Sequence, residues 1–151
     1  MIPYQLAQVN IARMIHPLDS PEMKDFTDAL DPVNAVADAS DGFVWRLTGG
    51  EGDATDQRIF EDDWILVNMS VWRDADALKA FMYAGLHREL LRRRHDFFAR
   101  VQEAMSTLWW VEPGHRPTVK EAEERLLLLR EKGPTEEAFT LGRLFPPPSA
   151  P

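Results

Sequence analysis

The run WILVNMSVW, residues 64–72, constrains this chain more than any other stretch. Apolar, aromatic and short polar residues without Gly or Pro read as a strand. Strand side chains alternate between faces. Ile65, Val67, Met69 and Val71 therefore share one side, and Leu66, Asn68, Ser70 and Trp72 the other. Neither side suits water. The first is wholly apolar, and the second carries an indole that is costly to leave wet. Trp45 and Trp109 add to the indoles that need cover, and Gln8 and Asn10 to the polar groups beside Asn68 and Ser70. The sheet is thus expected to be covered twice, the second time by another subunit or by the C-terminal helix and tail.

Three more segments read as strands: residues 4–12, 43–47 after the Asp41-Gly42 turn signal, and 107–111 before Pro113-Gly114. Helices lie between them. Ser20-Pro21-Glu22 opens one with a cap, a proline and an acid at the positive end of the dipole. Met23, Phe26, Leu30, Val33 and Ala37 follow at helical spacing, and Pro32 predicts a kink or a break with Asp31 as a fresh cap. A second helical stretch runs from about Asp74 to about Glu103, with a candidate break at Ala84-Gly85. A third covers residues 119–132, from a Thr118-x-x-Glu121 capping box to Gly133. The order β-α-β-β-α-β is the split βαβ, ferredoxin-like arrangement. The fold class is therefore α+β, as one domain over residues 1–151, with an extra helix and an extended Pro-rich tail over 134–151. Residues 48–63 are rich in Gly and Asp and are expected to be mobile.

Composition removes several function classes. With 151 residues, 44% of them hydrophobic and 28% charged, the chain is globular in type and long enough for one core. It has no cysteine, so disulfides, thiolate catalysis and thiolate metal sites are excluded. A net charge of −8 disfavours nucleic acid and anionic membranes as partners. No stretch approaches the roughly 18 apolar residues of a membrane span. The N-terminus has no basic segment followed by a long apolar one, so it is not read as a signal peptide, and a cytoplasmic location is expected. Glu61, Asp62 and Asp63 read as a solvated loop rather than a cation site. Nothing suggests a zinc or two-carboxylate hydrolase, and no resident metal is expected.

Charge is uneven along the chain. Residues 19–76 hold fifteen acids and four bases, whereas residues 79–100 hold six bases and two acids. Read as one helix from Leu86 to Val101, the basic part places Leu86, Leu90, Phe97 and Val101 on an apolar stripe, with His87, Leu91, Arg94 and Phe98 beside it. Arg94 is out of place there. A guanidinium against apolar surface needs a carboxylate, phosphate or bound oxyanion, unless its stem packs and its head reaches water. His87 is either a neutral core imidazole bonded to a carbonyl or a working group near Arg94. His115, in a loop before the third helix, reads as a surface group. A cavity lined by Trp with a few Asn, Ser and Arg groups suits a small molecule; the competing reading is a dimer interface.

Particular residues carry a resemblance. The run DGFVWRL, then WILVNMSVWRDADALKAFMY and the following His87, is similar to the dimeric α/β-barrel superfamily of antibiotic-biosynthesis-monooxygenase-like domains. More specifically the chain resembles a domain-of-unknown-function branch of that superfamily, through the helix pattern from Phe81 to Arg94, the Trp109-Trp110 pair and the Gly114–Thr118 turn. The resemblance implies a homodimer whose two sheets close into a barrel, with a pocket between each sheet and its own helices. It also implies two chemistries. In cofactor-free monooxygenases a strand Asn and Trp and a helical Arg hold a polyphenol near dioxygen; Asn68, Trp72 and Arg92 or Arg94 match. In haem-degrading members a strand Asn, a Trp and a helical His do the work; Asn10, Trp72 and His87 match, though His87 lies further from Trp72 than in that group.

The resulting expectation is an enzyme that oxidises or rearranges an aromatic or polyketide-like molecule, with no cofactor. Asn68, Trp72, His87 and Arg94 form its catalytic set, with Arg94 holding an anionic group. Asn10, Trp45, Ser70, Leu91, Phe98 and Trp109 bind the substrate. The alternatives are a haem protein with His87 as iron ligand and a non-catalytic ligand-binding or dimerisation module.

Overall fold

The computed structural model describes residues 3–48, 55 and 57–148, apart from the Leu86 side chain. The element order is β1 (Gln5–Arg13), a 3-10 turn (Pro21–Met23), α1 (Lys24–Asp38), β2 (Phe43–Arg46), β3 (Ile65–Trp72), α2 (Ala75–Met82), α3 (Gly85–Arg92), α4 (Arg94–Phe97), β4 (Ser106–Val111) and α5 (Val119–Lys132). The strands form one antiparallel sheet in the order β2-β3-β1-β4. This is the expected ferredoxin-like α+β arrangement. No helix among the described residues is long and apolar enough to cross a membrane.

Both faces of the sheet are covered within the single chain. Ala7, Val9, Ile11, Val67, Met69, Val71 and Trp109 pack against Ala122 and Leu126 of α5 and against Ile59. The opposite face is covered by α1, α2 and α3 and by the chain after α5. At one end Leu6, Trp72 and Leu108 bury against Leu78 and Phe139; at the other Leu66 buries against Met14, Met23 and Phe97. The C-terminal helix therefore covers the wholly apolar face, while on the other face Asn10 and Asn68 remain exposed. The second cover was expected on the Asn68 side, from a second subunit or from the C-terminal helix and tail; the helix lies on the opposite face instead, and the tail joins α2 at the Trp72 end of the Asn68 face.

Three local expectations are revised. Pro32 does not break α1, which continues from Lys24 to Asp38. Pro32 and Asp28 both face water, so the carbonyl that loses its N–H partner there can be hydrated. The long helix expected up to Glu103 stops much earlier. Arg93 separates α3 from α4, and Phe98 is already extended. Backbone pairing explains this, because Ile15 N–H donates to the Phe97 carbonyl and Ala99 N–H to the Arg13 carbonyl. Phe97, 1% exposed, is drawn into the core at the end of β1. Tertiary pairing overrides helix periodicity there. In the 48–63 connection, positions 49–54 and 56 lie outside the described residues. Its last part is anchored: Ile59 is fully buried, and Phe60 N–H donates to the Glu123 carboxylate at 2.7 Å.

The expected Ser20 cap is not made: Ser20 precedes a 3-10 turn rather than α1, and its hydroxyl donates to the Pro17 carbonyl. The signals around α5 act as expected. The Thr118 hydroxyl accepts from Glu121 N–H at 3.1 Å, and Gly133 ends α5 at φ +73°. The tail is more than an extended strap. Phe139 is buried and exchanges two backbone bonds with Leu108, of 2.8 and 2.9 Å.

Gly42 shows how tightly the turn before β2 meets α2. Its φ is +84°, and an added Cβ would lie 2.5 Å from the Ala77 Cβ. Gly114 has a similar φ of +86° with nothing near it. Gly42→Ala should therefore cost more than the about 1–3 kcal/mol of left-handed strain expected for Gly114→Ala. Urea unfolding midpoints of the two variants check this; equal losses would mean that the close approach to α2 is immaterial.

Candidate functional site

A cavity of about 490 Å³ opens between the polar strip of the sheet and the helices over it. That volume lies within the roughly 300–1,000 Å³ of small-molecule sites. The strip arises from strand register. Asn10 pairs with Asn68 and Gln8 with Ser70, so β1 and β3 bring four short polar side chains to one face. Asn10 and Asn68 floor the cavity, α1 contributes Phe26, Leu30 and Asn34, α3 contributes His87, Leu90 and Leu91, and the following turn contributes Arg94 and Phe98.

The floor is wired from below. Gln8 Nε2 donates to Asn68 Oδ1 at 2.9 Å and to Ser70 Oγ at 2.8 Å. Ser70 Oγ also accepts from Trp72 Nε1 at 2.8 Å. Asn68 thus has its carbonyl oxygen engaged and its amide N–H groups left to donate. An oxygen acceptor, neutral or anionic, is the complement of such a group.

His87 is oriented from behind. Its Nδ1–H donates to the Met82 carbonyl at 3.1 Å, the carbonyl being unable to donate in return. Nε2 then carries the lone pair. The ring lies 4.8 Å from the Phe81 ring, which stacks on Trp72 at 5.2 Å. Burial lowers the His87 pKa below the ordinary imidazole value, with the Met82 bond opposing in part. At neutral pH the imidazole is therefore neutral, and fit to accept a proton or to ligate a metal.

Six of the ten expected site residues line this cavity: Asn10, Asn68, His87, Leu91, Arg94 and Phe98. Four do not. Trp72, fully buried, lies behind the wall between Phe43 and Phe81. Ser70 is buried beneath Gln8 and Trp72. Trp45 and Trp109 are on the other face. Val71 pairs with both Trp45 and Ala7, and Ala7 pairs in turn with Trp109, so period two takes both indoles away from Asn68. Trp109 Nε1 donates instead to the Glu121 carboxylate at 2.8 Å, which His115 Nε2 also meets at 2.7 Å. Arg92, the alternative to Arg94, ion-pairs with Glu89 outside the cavity. The aromatic wall is built by Phe26 and Phe98, edge to face at 5.1 Å. Phe26, Leu30 and Asn34 follow helical spacing on α1 and were legible as a face, but nothing in the sequence says that this face meets Asn68. Gln8 was legible as a polar strand residue without a role.

Among the described residues no group of three or more His, Asp or Glu side chains could hold a metal ion. Asp62 is engaged by Arg13 at 2.8 Å and by Trp64 N–H, and Asp63 by Arg58 at 2.7 Å.

Comparison with solved structures supports the fold. PA3566 from Pseudomonas aeruginosa is similar at TM-score 0.51 and 12% identity, over 78% of this chain and 99% of that one. A conserved protein from Methanosarcina mazei gives TM-score 0.50 at 11% identity, over 72% and 92%. SnoaB, a cofactor-independent oxygenase from Streptomyces nogalater, gives TM-score 0.48 at 16% identity, over 76% and 96%. Likeness at these identities is one of fold and not of residue roles. No curated protein matches the sequence. A family model does match, over residues 5–151, and by it the chain belongs to DUF3291, a domain of unknown function.

Proposed function

We propose that the chain is an enzyme that oxidises or rearranges a small aromatic or polyketide-like molecule in this cavity. One observation carries the reading: a neutral imidazole with a free Nε2 lines the same cavity as an asparagine whose amide is left to donate. His87 Nε2 takes a proton from an acidic ring CH2 or phenol. Asn68 holds the enolate or phenolate oxygen that results, which is where oxyanion stabilisation acts. Phe26 and Phe98 flank the ring system. The substrate itself supplies all four electrons that reduce dioxygen, and the oxidation balances as CH2 + O2 → C=O + H2O. The resemblance of the Trp64–Tyr83 segment to monooxygenase-like domains supports dioxygen as the oxidant. Trp72 is a positioning residue in this scheme: it supports Asn68 through Ser70 and Gln8, and His87 through Phe81.

Oxygen uptake with a hydroxyanthrone as probe tests the proposal. Asn68→Ala should lower the rate about 10²–10³-fold, the usual loss for one oxyanion donor. Undiminished turnover would remove Asn68 from the mechanism, and binding without turnover in the unaltered protein would favour a ligand-binding module.

The pH dependence has a definite sign. Only neutral His87 is a base, so rate should fall as pH drops through its pKa. Because burial places that pKa below the ordinary 6.5, the acid limb should be centred below pH 6.5, and the rate at pH 7 should lie above its midpoint. His87→Gln should abolish the limb together with most of the activity. A limb centred above 6.5 would mean that a different group titrates.

The same His87 geometry favours a second reading, haem binding. A ligating imidazole characteristically donates its other N–H to a carbonyl or carboxylate, as His87 does to Met82. His87 would hold the iron, and Arg94 lies on the same cavity for a propionate. Bound haem would supply redox chemistry. Titration with haemin should then give a sharp Soret band that is lost in His87→Ala; a spectrum indifferent to the substitution would end this reading.

A further inference from the structure

The cavity wall is cationic in an acidic protein. Among the described residues it carries three guanidiniums, Arg46, Arg94 and Arg100, together with His87 and His95, and no Asp or Glu. The chain as a whole carries 25 acids against 17 Lys and Arg. Arg46 is engaged by Asp38 at 2.8 Å. Arg94 and Arg100 enter no ion pair among the described residues, although the neighbouring Arg92 and Arg93 both do. Arg94 spends one N–H on the Leu91 carbonyl at 2.9 Å, which folds its side chain back along α3 and leaves the rest of the guanidinium unspent. His95 lines the same cavity as both guanidiniums; partial desolvation, and then the like charges of Arg100 and Arg94, lower its pKa, with Asp96 opposing.

Two guanidiniums that line one cavity and enter no ion pair there are suited to receive an anion. The remaining wall is apolar (Phe26, Leu30, Leu66, Leu90, Leu91 and Phe98), and the floor offers amides. A ligand matching all three parts has a flat apolar body, an oxygen acceptor toward Asn68 and an anionic group at the other end. A planar carboxylate suits the fork of donors on a guanidinium better than a point charge would.

We infer that the ligand of this cavity is an aromatic carboxylate, its carboxylate held by Arg94 and Arg100 and its ring body by the Phe26–Phe98 wall. This inference rests on the reading above that the cavity is the ligand site, and it adds the charge of the ligand and the role of Arg100.

The test compares 2-naphthoate with its neutral isostere 2-naphthamide by calorimetric titration of the full chain. Naphthoate should bind roughly tenfold tighter or better, the difference between charge-assisted and neutral hydrogen bonds. The preference should weaken with added salt. In Arg94→Gln/Arg100→Gln it should vanish, naphthoate falling to the affinity of naphthamide; both side chains are exposed, so the fold is not at stake, and circular dichroism verifies this. Equal affinities in the unaltered protein, or a preference that survives the double substitution, overturn the carboxylate inference and leave the cavity reading standing. Binding of neither probe overturns both.

Discussion

Covering both faces of a four-stranded sheet within one short chain is the constraint on which the rest depends. A face that packs against helices must be apolar or have its polar groups satisfied, since an unpaired buried donor or acceptor costs about 1–3 kcal/mol. The face beneath α5 meets this by being almost wholly apolar, from Ala7 and Val9 to Met69 and Val71. The face beneath α1 to α3 meets it in two ways. Its ends are apolar, around Trp72 on one side and Leu66 on the other. Its middle is the strip of Gln8, Asn10, Asn68 and Ser70, where the helices do not close down. The cavity lies where the packing is interrupted, and the polar residues are there because the space is.

Trp72 links that packing to the chemistry. Its indole N–H has to find an acceptor on burial. Ser70 Oγ provides one and also accepts from Gln8, which in turn engages Asn68. The face of the ring supports Phe81 and, through it, His87. One buried side chain thus bears on both polar groups proposed to act on the ligand, without touching the ligand itself. The two-residue break between α2 and α3, Tyr83 and Ala84, sets the remaining coordinate, since the carbonyl that orients His87 belongs to Met82, the last residue of α2. Fusion of α2 and α3 into one continuous helix would commit that carbonyl to a helical N–H and leave Nδ1 without its acceptor.

Much of this was readable from residue order. Strand positions, the ferredoxin-like order, the α5 caps and the grouping of Asn68 with Asn10 follow from local pattern, because turn chemistry and period-two alternation act over a few residues. Alternation also held the information that Trp109 is on the side of Ala7 and Val71, but using it requires the register between β1 and β4, which pattern alone does not supply. The end of the basic helix at Phe97 was illegible for a similar reason. Its apolar spacing continues to Val101, and what stops it is a backbone bond to Arg13, 86 positions earlier in the chain than Ala99. Gln8 shows the same limit at the level of a site. A polar strand residue becomes informative only when its partners, 60 and 62 positions away, are known.

The position of α5 bears on assembly as well. In the arrangement that the sequence resemblance implies, two sheets close face to face into a barrel. Here the apolar face that such a closure needs is occupied by Ala122 and Leu126, and every strand residue in that cluster is buried without a partner chain. Joining two copies through this face would require α5 to leave it, exposing that whole apolar cluster at roughly 25 cal/mol per Å² before any new contact formed. The helix that distinguishes this chain from a bare βαββαβ unit therefore buries the apolar face from within the chain and leaves the cavity on the other side.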